Sequence, residues 1–310
     1  MPIKIPNRLP AIDTLTRENI FVMAETRAES QDIRPLKIGI LNLMPLKVET
    51  ETQLLRLLSN TPLQLEIDLV TTETYTSKHI SADHLLTFYK KFSEIKNDSY
   101  DGFIITGAPV ELLEYEEVEY FDELKTIMSW CDTHVFSTFH ICWGAQAGLY
   151  FHYGIQKYPL KKKLSGVFEH KRLSRSHPLT RGFDDRFLMP HSRYTEIRRS
   201  DIDANEDIIL LSDSDEAGVC LAVSDDCRRV FITGHCEYDA ITLLTEYKRD
   251  VEKGLNPNIP KNYLKNDDIN SVPIKTWRSH ANLLFSNWLN FVYQTTPYDL
   301  EELKGGTDIG

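Results

Sequence analysis

A cysteine and a histidine each follow a strand-like run of the sequence. The run 135–141 ends at Cys142, where small residues follow at once, and the run 230–233 leads to His235, with Glu237 two residues further on. In extended backbone, residues two apart point the same way. A thiol, an imidazole and a carboxylate are the three parts of an activated thiol nucleophile. The sequence therefore predicts acyl transfer through a thioester, with Cys142 as nucleophile, His235 as general base and Glu237 as the orienting acid.

Each of these residues has an ordinary structural explanation when taken alone. A cysteine after a buried strand is commonly a small core residue, and a histidine at a strand end is commonly a half-exposed polar group. Both, however, follow strands at the position where open α/β sheets place their sites. The order strand, sharp turn, helix also resembles the nucleophile elbow of hydrolases. Taken together, the residues favour a catalytic site.

The turn after Cys142 predicts how the site stabilises negative charge. The N-terminus of the following helix favours a thiolate, and the backbone N–H of Trp143 is placed to contact an oxyanion. A second N–H donor is expected from the segment 106–111, where Gly107 permits backbone geometry that other residues resist. A plain strand-to-helix turn explains that segment equally well.

Strand-like and helix-like runs alternate along most of the chain. This order predicts an α/β fold, a parallel sheet with helices on both faces, and short runs between 155 and 233 indicate antiparallel insertions. We predict an N-terminal arm over 1–35 with a helix near 17–27, one α/β domain over 36–296, and a disordered tail over 297–310. Strands are predicted at 37–43, 63–70, 103–106 and 135–141, and helices at 49–58, 82–92, 118–130, 144–153, 239–252 and 281–292.

Composition excludes several classes of protein. The 310 residues include 35 basic and 46 acidic side chains, a net charge of −11 without a basic tract, which argues against nucleic-acid binding. No apolar run approaches the roughly 20 residues of a membrane span, and no signal core begins the chain, so a cytoplasmic location is expected. The five cysteines have no regular spacing, which predicts free thiols and no zinc site. Cys236, beside His235, is assigned to packing.

Longer runs of the sequence resemble a known family. The chain is similar to the homoserine O-acyltransferases of methionine biosynthesis, which share the fold of class I glutamine amidotransferases. The resemblance implies a flavodoxin-like, class I glutamine amidotransferase-like sheet, a homodimer and no cofactor. It covers nearly all of residues 1 to 294, in order, and is carried by runs that include Gln31-Asp32-Ile33-Arg34-Pro35, Leu41-Asn42-Leu43-Met44-Pro45, Thr106-Gly107-Ala108-Pro109, His140-Ile141-Cys142-Trp143-Gly144, Pro190-His191-Ser192-Arg193-Tyr194 and Trp277-Arg278-Ser279-His280.

The resemblance also implies substrates and further site residues. It points to L-homoserine as acceptor, bound by Lys163, Ser192 and Arg249, and Arg193 is a further candidate. Without the resemblance these would be surface or turn residues. Acetyl-CoA is implied as donor because the position after Thr-Gly-Ala-Pro-x, here Glu111, is typically Glu in acetyl-transferring members and Gly in succinyl-transferring ones.

Three other functions stay open. Homoserine O-succinyl transfer would use the same site with a different donor. Glutamine amidotransfer would suit the fold and the three catalytic residues, but such an activity normally feeds a synthase domain that this chain does not contain. A non-catalytic thiol sensor would use Cys142 alone and would have no need of the oriented base formed by His235 and Glu237.

Overall fold

The computed structural model describes residues 3–5, 9–17, 22–24, 34–74 and 82–305. By the packing of its backbone the chain divides into two compact units, residues 1–140 with 285–310, and residues 141–284. The domain boundaries predicted from the sequence stay a prediction. Among the described helices, none combines the length and the apolar character needed to cross a bilayer.

The first unit is built on parallel strands in the order β2-β1-β4-β3-β6-β7, with the short β5 beside β4. All residues of β6 and β7 and nearly all of β3 are buried, which a parallel sheet shows when helices cover both faces. The strands are β1 Ile3–Ile5, β2 Val22–Ala24, β3 Leu36–Leu41, β4 Leu65–Thr71, β5 Tyr89–Lys91, β6 Tyr100–Ile105 and β7 Val135–Ile141.

The helices of this unit alternate with the strands, as predicted. They are α1 Ala11–Arg17, α2 Lys47–Leu58, α3 Ala82–Phe88, α4 Phe92–Ile95 and α5 Phe121–His134, and the C-terminal helix α9, Arg278–Thr295, contributes its residues from Phe285 on. Trp288 of α9 is fully buried and donates from Nε1 to Oγ of Ser137 at 2.9 Å. That bond anchors the middle of β7, the strand that leads to Cys142.

The second unit contains the antiparallel part of the fold. Its strands follow the order β12-β11-β10-β8-β9, and every pairing among them is antiparallel. The elements are α6 Trp143–Tyr153, β8 Tyr158–Arg172, β9 Arg186–Glu196, α7 Arg199–Asp203, β10 Ile208–Ser214, β11 Gly218–Ser224, β12 Arg229–Ile232 and α8 Thr242–Glu252. The fold class predicted from the sequence is confirmed, antiparallel additions included.

Several boundaries differ from the sequence predictions. The helix expected near 17–27 instead begins at Ala11 and ends at Arg17, residues 22–24 form β2, and residues 18–21 and 25–27 lie outside the described residues. The helix expected over 82–92 ends at Phe88 because β5 intervenes. In the segment 297–310, where disorder is predicted, residues Leu300–Gly305 form a 3-10 helix with Leu303 buried; residues 306–310 lie outside the described residues.

The long segment 254–275 is tied to β8 at one point. The N–H of Lys261 donates to the carbonyl of Ser165 at 2.9 Å, and the carbonyl of Lys261 accepts from Val167 at 2.8 Å. Between these bonds lies Gly166, whose φ is 151° and whose missing Cβ would come within 2.4 Å of the Lys261 carbonyl oxygen. Only glycine allows both the backbone angle and the close approach.

We predict that Gly166→Ala releases this segment. The substitution combines an unfavourable φ with a clash against backbone and should cost about 2–4 kcal/mol of unfolding free energy. Gly218→Ala is the matched control, since Gly218 also has positive φ (69°) but open space around it, and strain alone is worth about 1–2 kcal/mol. Urea unfolding and limited proteolysis measure both. Equal losses in the two variants, with no new cleavage in 254–275, would contradict the role of the bridge.

Candidate active site

Cys142 lies at the sharp turn between β7 and α6. Its backbone has φ 52° and ψ −115°, a region that costs a residue with a side chain about 1–3 kcal/mol and that recurs at active sites. Two hydrogen bonds hold it there: the N–H donates to the carbonyl of Ile232 at 2.7 Å, and the carbonyl accepts from the N–H of Gln146 at 3.1 Å. The elbow predicted from the sequence is therefore present.

Small residues allow helix α6 to pack closely behind this turn. Ala145 and Leu149 are fully buried against Val219, Ala222 and Phe231. Trp143 occupies the first position of the helix and is fully buried. The N–H groups of a first helical turn have no partner within the helix and carry partial positive charge, so this end of α6 presents donors and a favourable potential beside Cys142.

His235 is held in place by a backbone hydrogen bond, by stacking of its ring and by hydrogen bonds to its ring nitrogens. Its N–H donates to the carbonyl of Pro190 at 2.8 Å, and its ring stacks on Tyr238 with centroids 4.0 Å apart. Nδ1 lies 2.7 Å from Oε1 of Glu237 and both side chains are buried. A carboxylate only accepts, so Nδ1 carries a proton, and Nε2 remains for the other hydrogen-bond partner of the ring, Cys142.

The charges of these groups reinforce one another. Burial alone would lower the pKa of His235, but the nearby Cys142 and Glu237 raise it well above its ordinary value through charge and hydrogen bonding. An imidazolium is therefore the favoured form beside Cys142. A cationic imidazole beside a cysteine in general favours the thiolate, the form that attacks carbonyl carbon.

The sequence predicted the contact between His235 and Glu237 but for the wrong reason. Strand β12 ends at Ile232, and residues 235–238 form a turn in which the N–H of Tyr238 donates to the carbonyl of His235 at 3.3 Å. The backbone there is not extended. Gly234 is required before the turn, because a Cβ would come within 2.6 Å of the Met189 side chain.

The three residues that the resemblance assigns to substrate binding lie together in the second unit. Lys163 comes from β8, Ser192 from β9 and Arg249 from α8. Two carboxylates bind these three side chains. Asp250 accepts hydrogen bonds from Lys163 and Arg249, each at 2.8 Å. Glu246 accepts one from Ser192 at 2.5 Å. Lys163 is also 3.7 Å from Glu246. Burial opposes the charge of Asp250, yet hydrogen bonds from Lys163 and Arg249 hold its pKa below the ordinary value.

Tyr238 connects this group to the catalytic residues. Its ring lies on His235, and its hydroxyl donates to Oε1 of Glu246 at 2.9 Å. The sequence analysis did not assign a role to Tyr238, Glu246 or Asp250. Their signals were present, since Tyr238 follows Glu237 directly and Glu246 and Asp250 lie four residues apart on the helix that carries Arg249. Such spacing, however, is common on surface helices.

The other predicted site residues lie in the first unit. Gly107 and Glu111 belong to the segment after β6, where Gly107 is buried and Glu111 is half-buried. Gly107 is not among the described glycines with positive φ, so the special backbone geometry expected of it is not observed. The roles proposed for these two residues stay predictions.

The remaining cysteines do not compete with Cys142 in this geometry. Cys236 is fully buried, and burial raises its pKa well above the ordinary value, in accord with its assignment to packing. Cys131 and Cys220 are also buried, and Cys227 is half-buried at 3.3 Å from Nε2 of His177. All five thiols are free.

Comparison with known sequences places the chain among homoserine acyltransferases. A family model described as homoserine O-succinyltransferase matches residues 2–298. The chain is 59% identical over 305 residues to a homoserine O-acetyltransferase of Acetivibrio thermocellus, covering 98% of this chain and 100% of the relative. It is 60% identical to one of Methanomassiliicoccus intestinalis, covering 97% and 98%, and 57% identical to one of Bacteroides fragilis, covering 98% and 100%.

Solved structures share the fold at low sequence identity. A glutamine amidotransferase from Thermotoga maritima is 13% identical, with a TM-score of 0.57 over 84% of this chain and 99% of that one. The glutaminase domain of Trypanosoma brucei CTPS with bound acivicin is 10% identical, with a TM-score of 0.52 over 86% and 96%. At these identities the likeness concerns the fold alone.

We predict that His235 makes Cys142 reactive. In His235→Asn the imidazolium that stabilises the thiolate is lost, so the rate of Cys142 alkylation by iodoacetamide at neutral pH should fall by about tenfold or more. His177→Asn is the matched control, because His177 faces a different thiol, Cys227, at 3.3 Å. Mass spectrometry of the alkylated peptides separates the two sites. Alkylation of Cys142 at the wild-type rate in His235→Asn would refute the pairing.

Proposed function

The chain belongs to the homoserine O-succinyltransferase family, and from that membership we propose that it is an acyltransferase that moves an acetyl group from acetyl-CoA to the hydroxyl of L-homoserine. The main observation that supports this mechanism is that Cys142, His235 and Glu237 are linked by hydrogen bonds, and that Cys142 lies on a strained turn. The cytoplasmic location and the homodimer expected from the sequence stay predictions.

The first half-reaction loads the acyl group on the enzyme. The Cys142 thiolate attacks the thioester carbonyl carbon, and we expect the N–H of Trp143 to donate to the oxygen as it becomes negative. When the intermediate collapses, the bond to the CoA sulfur breaks, and the His235 imidazolium gives its Nε2 proton to that sulfur. The products are an acyl-cysteine, free CoA thiol and a neutral imidazole. Exchange of one thioester for another is nearly balanced in energy, so the intermediate is not a trap.

The second half-reaction transfers the acyl group to the acceptor. Nε2 of the neutral His235 takes the proton of the homoserine hydroxyl, and the oxygen attacks the acyl carbon. Collapse breaks the bond to Sγ, which restores the thiolate and leaves His235 protonated. Glu237 keeps Nδ1–H bound throughout, so that Nε2 always faces the sulfur.

The acceptor site is the polar group around Glu246 and Asp250. Homoserine carries a carboxylate and an ammonium on one carbon, and this group offers Arg249 and Lys163 for the first and Glu246 for the second. Lys163 and Asp250 also line a cleft with residues of the segment 254–275, Pro257 and Asn258. Since Tyr238 connects Glu246 to His235, an amino acid held there would extend its side-chain hydroxyl toward the catalytic base.

The choice of donor rests on Glu111 and on the named relatives. The family description names succinyl transfer, whereas the relatives at 57–60% identity are named acetyltransferases. Relatives at that identity are the nearer guide to substrate. A half-buried carboxylate would repel the terminal carboxylate of a succinyl group and occupy its space, while an acetyl group has neither the charge nor the length.

The other functions find less support. The likeness to amidotransferases concerns fold, and the ion pairs around Glu246 and Asp250 suit an amino-acid acceptor that enters after acyl loading. A thiol sensor has no use for an imidazole oriented by a carboxylate at 2.7 Å. No observation favours either over acyl transfer.

We predict that acetyl-CoA without acceptor loads one acetyl group on Cys142. Intact mass spectrometry of the wild-type protein should show this adduct, and Cys142→Ala should lose both the adduct and turnover while keeping its fold, because a methyl group cannot form the thioester. Cys236→Ala is the control and should load normally. An adduct that persists in Cys142→Ala, or one that maps to Cys236, would refute the assignment of the nucleophile.

We predict that Glu111→Gly shifts donor preference toward succinyl-CoA. Removing one carboxylate and its volume should change the ratio of kcat/KM for the two donors by about 10- to 100-fold. Glu119→Gly, which removes an exposed acid from the same part of the chain, should leave the ratio unchanged. A wild-type preference for succinyl-CoA, or an unaltered ratio in Glu111→Gly, would overturn the proposed donor.

A further inference from the structure

A buried arginine lies beside the catalytic residues and is held by backbone carbonyls and a histidine. Arg193, on β9, is only 2% exposed. Its Nη1 donates to the carbonyl of Thr195 at 2.6 Å, its Nη2 to the carbonyl of Ala217, and its Nε to Nδ1 of His191 at 3.4 Å. Within the described part of the chain these bonds go to carbonyls and an imidazole, and none goes to a carboxylate. A buried cation held in this way is costly unless negative charge lies nearby.

The anchoring bonds tie Arg193 to the helix that begins at the nucleophile. The carbonyl of Thr195 accepts from Nε2 of Gln146 at 3.3 Å as well as from Arg193, and the Thr195 hydroxyl donates to Oε1 of Gln146 at 2.8 Å. Gln146 is the residue whose N–H closes the first turn onto the carbonyl of Cys142. The guanidinium is therefore attached to the turn that carries the sulfur.

A pair of neutral histidines holds the other side of the guanidinium. Nδ1 of His170 lies 2.9 Å from the carbonyl of Phe168, which only accepts, so this nitrogen carries the proton. Nε2 of His170 must then accept from Nε2–H of His191 at 3.0 Å, which leaves Nδ1 of His191 to accept from Arg193. Burial lowers the pKa of His170 to about 4 and that of His191 well below its ordinary value, so both rings are neutral.

These two histidines also lie close to the sulfur of Cys220, with ligand atoms within 4.8 Å of one another. That grouping has the composition of a metal site. However, the nitrogens that would bind a metal are used in the hydrogen-bonded chain, and burial raises the pKa of Cys220 to about 12, which keeps the thiol protonated. We therefore interpret the histidines as a support for Arg193.

The turn that Arg193 is attached to carries the sulfur of Cys142, whose thiolate would be a negative charge close to the guanidinium. Burial lowers the pKa of Arg193, and the nearby Cys142, Glu196 and Cys220 oppose this. With Cys142 as thiolate and His235 as imidazolium, the buried charges of the site balance: Cys142 and Glu237 are negative, His235 and Arg193 positive. Without Arg193, two anions would share one cation in a buried site.

We infer that Arg193 is a positioning residue of the active site, whose buried guanidinium, held by Thr195, Ala217 and the neutral His191–His170 pair, stabilises the Cys142 thiolate. The inference rests on the proposed role of Cys142 as nucleophile. Its test uses thiol alkylation, which needs no acyl donor or acceptor, so it can fail while the acyl transfer proposed above stands.

The experiment measures iodoacetamide alkylation of Cys142 from acid to alkaline pH. Arg193→Met and Arg193→Gln remove the charge, and Gln retains an amide that can still donate. In both we expect the midpoint of the rise in rate to move to higher pH by about one unit, with an approximately tenfold lower rate below it. Arg193→Lys keeps the charge without the planar fork, and its midpoint should lie between wild type and the neutral variants.

Controls separate the charge from other effects. Arg186→Met changes an exposed arginine on the same strand and should leave the profile unchanged. Cys142→Ala supplies the background from the other thiols. The groups that also face the site, His235, Glu237, Glu196 and Tyr238, are the same in every variant. Circular dichroism and the thermal midpoint establish which variants are folded.

Two results would overturn the inference. A folded neutral variant with the wild-type profile would show that the charge does not reach the sulfur, and a Lys variant shifted as far as the neutral ones would show that charge is not the cause. If neither neutral variant folds, Arg193→Lys decides, because it keeps the charge but loses the fork that Thr195 and Ala217 hold. An upward shift of its midpoint would support the positioned guanidinium, and a wild-type profile would overturn it.

Discussion

The arrangement of the second unit depends on one strained residue. Cys142 adopts a backbone conformation that a side chain disfavours. It is held there because its N–H donates to a carbonyl of β12 and its carbonyl accepts the first hydrogen bond of α6. If the turn relaxed, the sulfur would no longer face the imidazole, and the helix would lose its close packing on Val219, Ala222 and Phe231. The energy of that packing is what maintains the strain, so folding and the reactive geometry are coupled at this residue.

Around this turn, charge is distributed in two balanced sets. In the proposed site one set holds the sulfur, the imidazole, Glu237 and Arg193. The other holds Lys163, Arg249, Glu246 and Asp250, and Tyr238 touches both His235 and Glu246. Balanced sets can be buried at modest cost, because each ion finds its counter-charge within the protein instead of in water. The second set is also well suited to exchange partners, since a zwitterionic amino acid can replace an internal ion pair without changing the net charge.

The sequence predicted the parallel part of the fold, and it pointed to Cys142, His235 and Glu237, which the structure brings together, because both leave local signals. Buried parallel strands are continuous apolar runs, and the nucleophile follows one of them. The proposed acceptor site left no such signal in the sequence. Lys163 lies in the basic run 161–163, which suggests a solvated turn, yet it belongs to the 15-residue strand β8. Strand β9 was missed because Pro190 interrupts it and polar residues follow, although His191, Ser192 and Arg193 are all buried there. Buried polar residues of a binding site resemble surface residues in the sequence, because the partners that bury and bond them are distant along the chain.

The bridge between Gly166 and Lys261 separates one wall of the cleft from the core strands. One wall of the cleft, at Pro257 and Asn258, belongs to a stretch without helix or strand that is secured to β8 at Lys261 and Asn262. Substitutions between residue 254 and that attachment alter the lining of the cleft while leaving the core strands and the nucleophile turn intact. If the acceptor binds there as proposed, such substitutions would change which alcohols fit the cleft while the turn that holds the sulfur stays as it is.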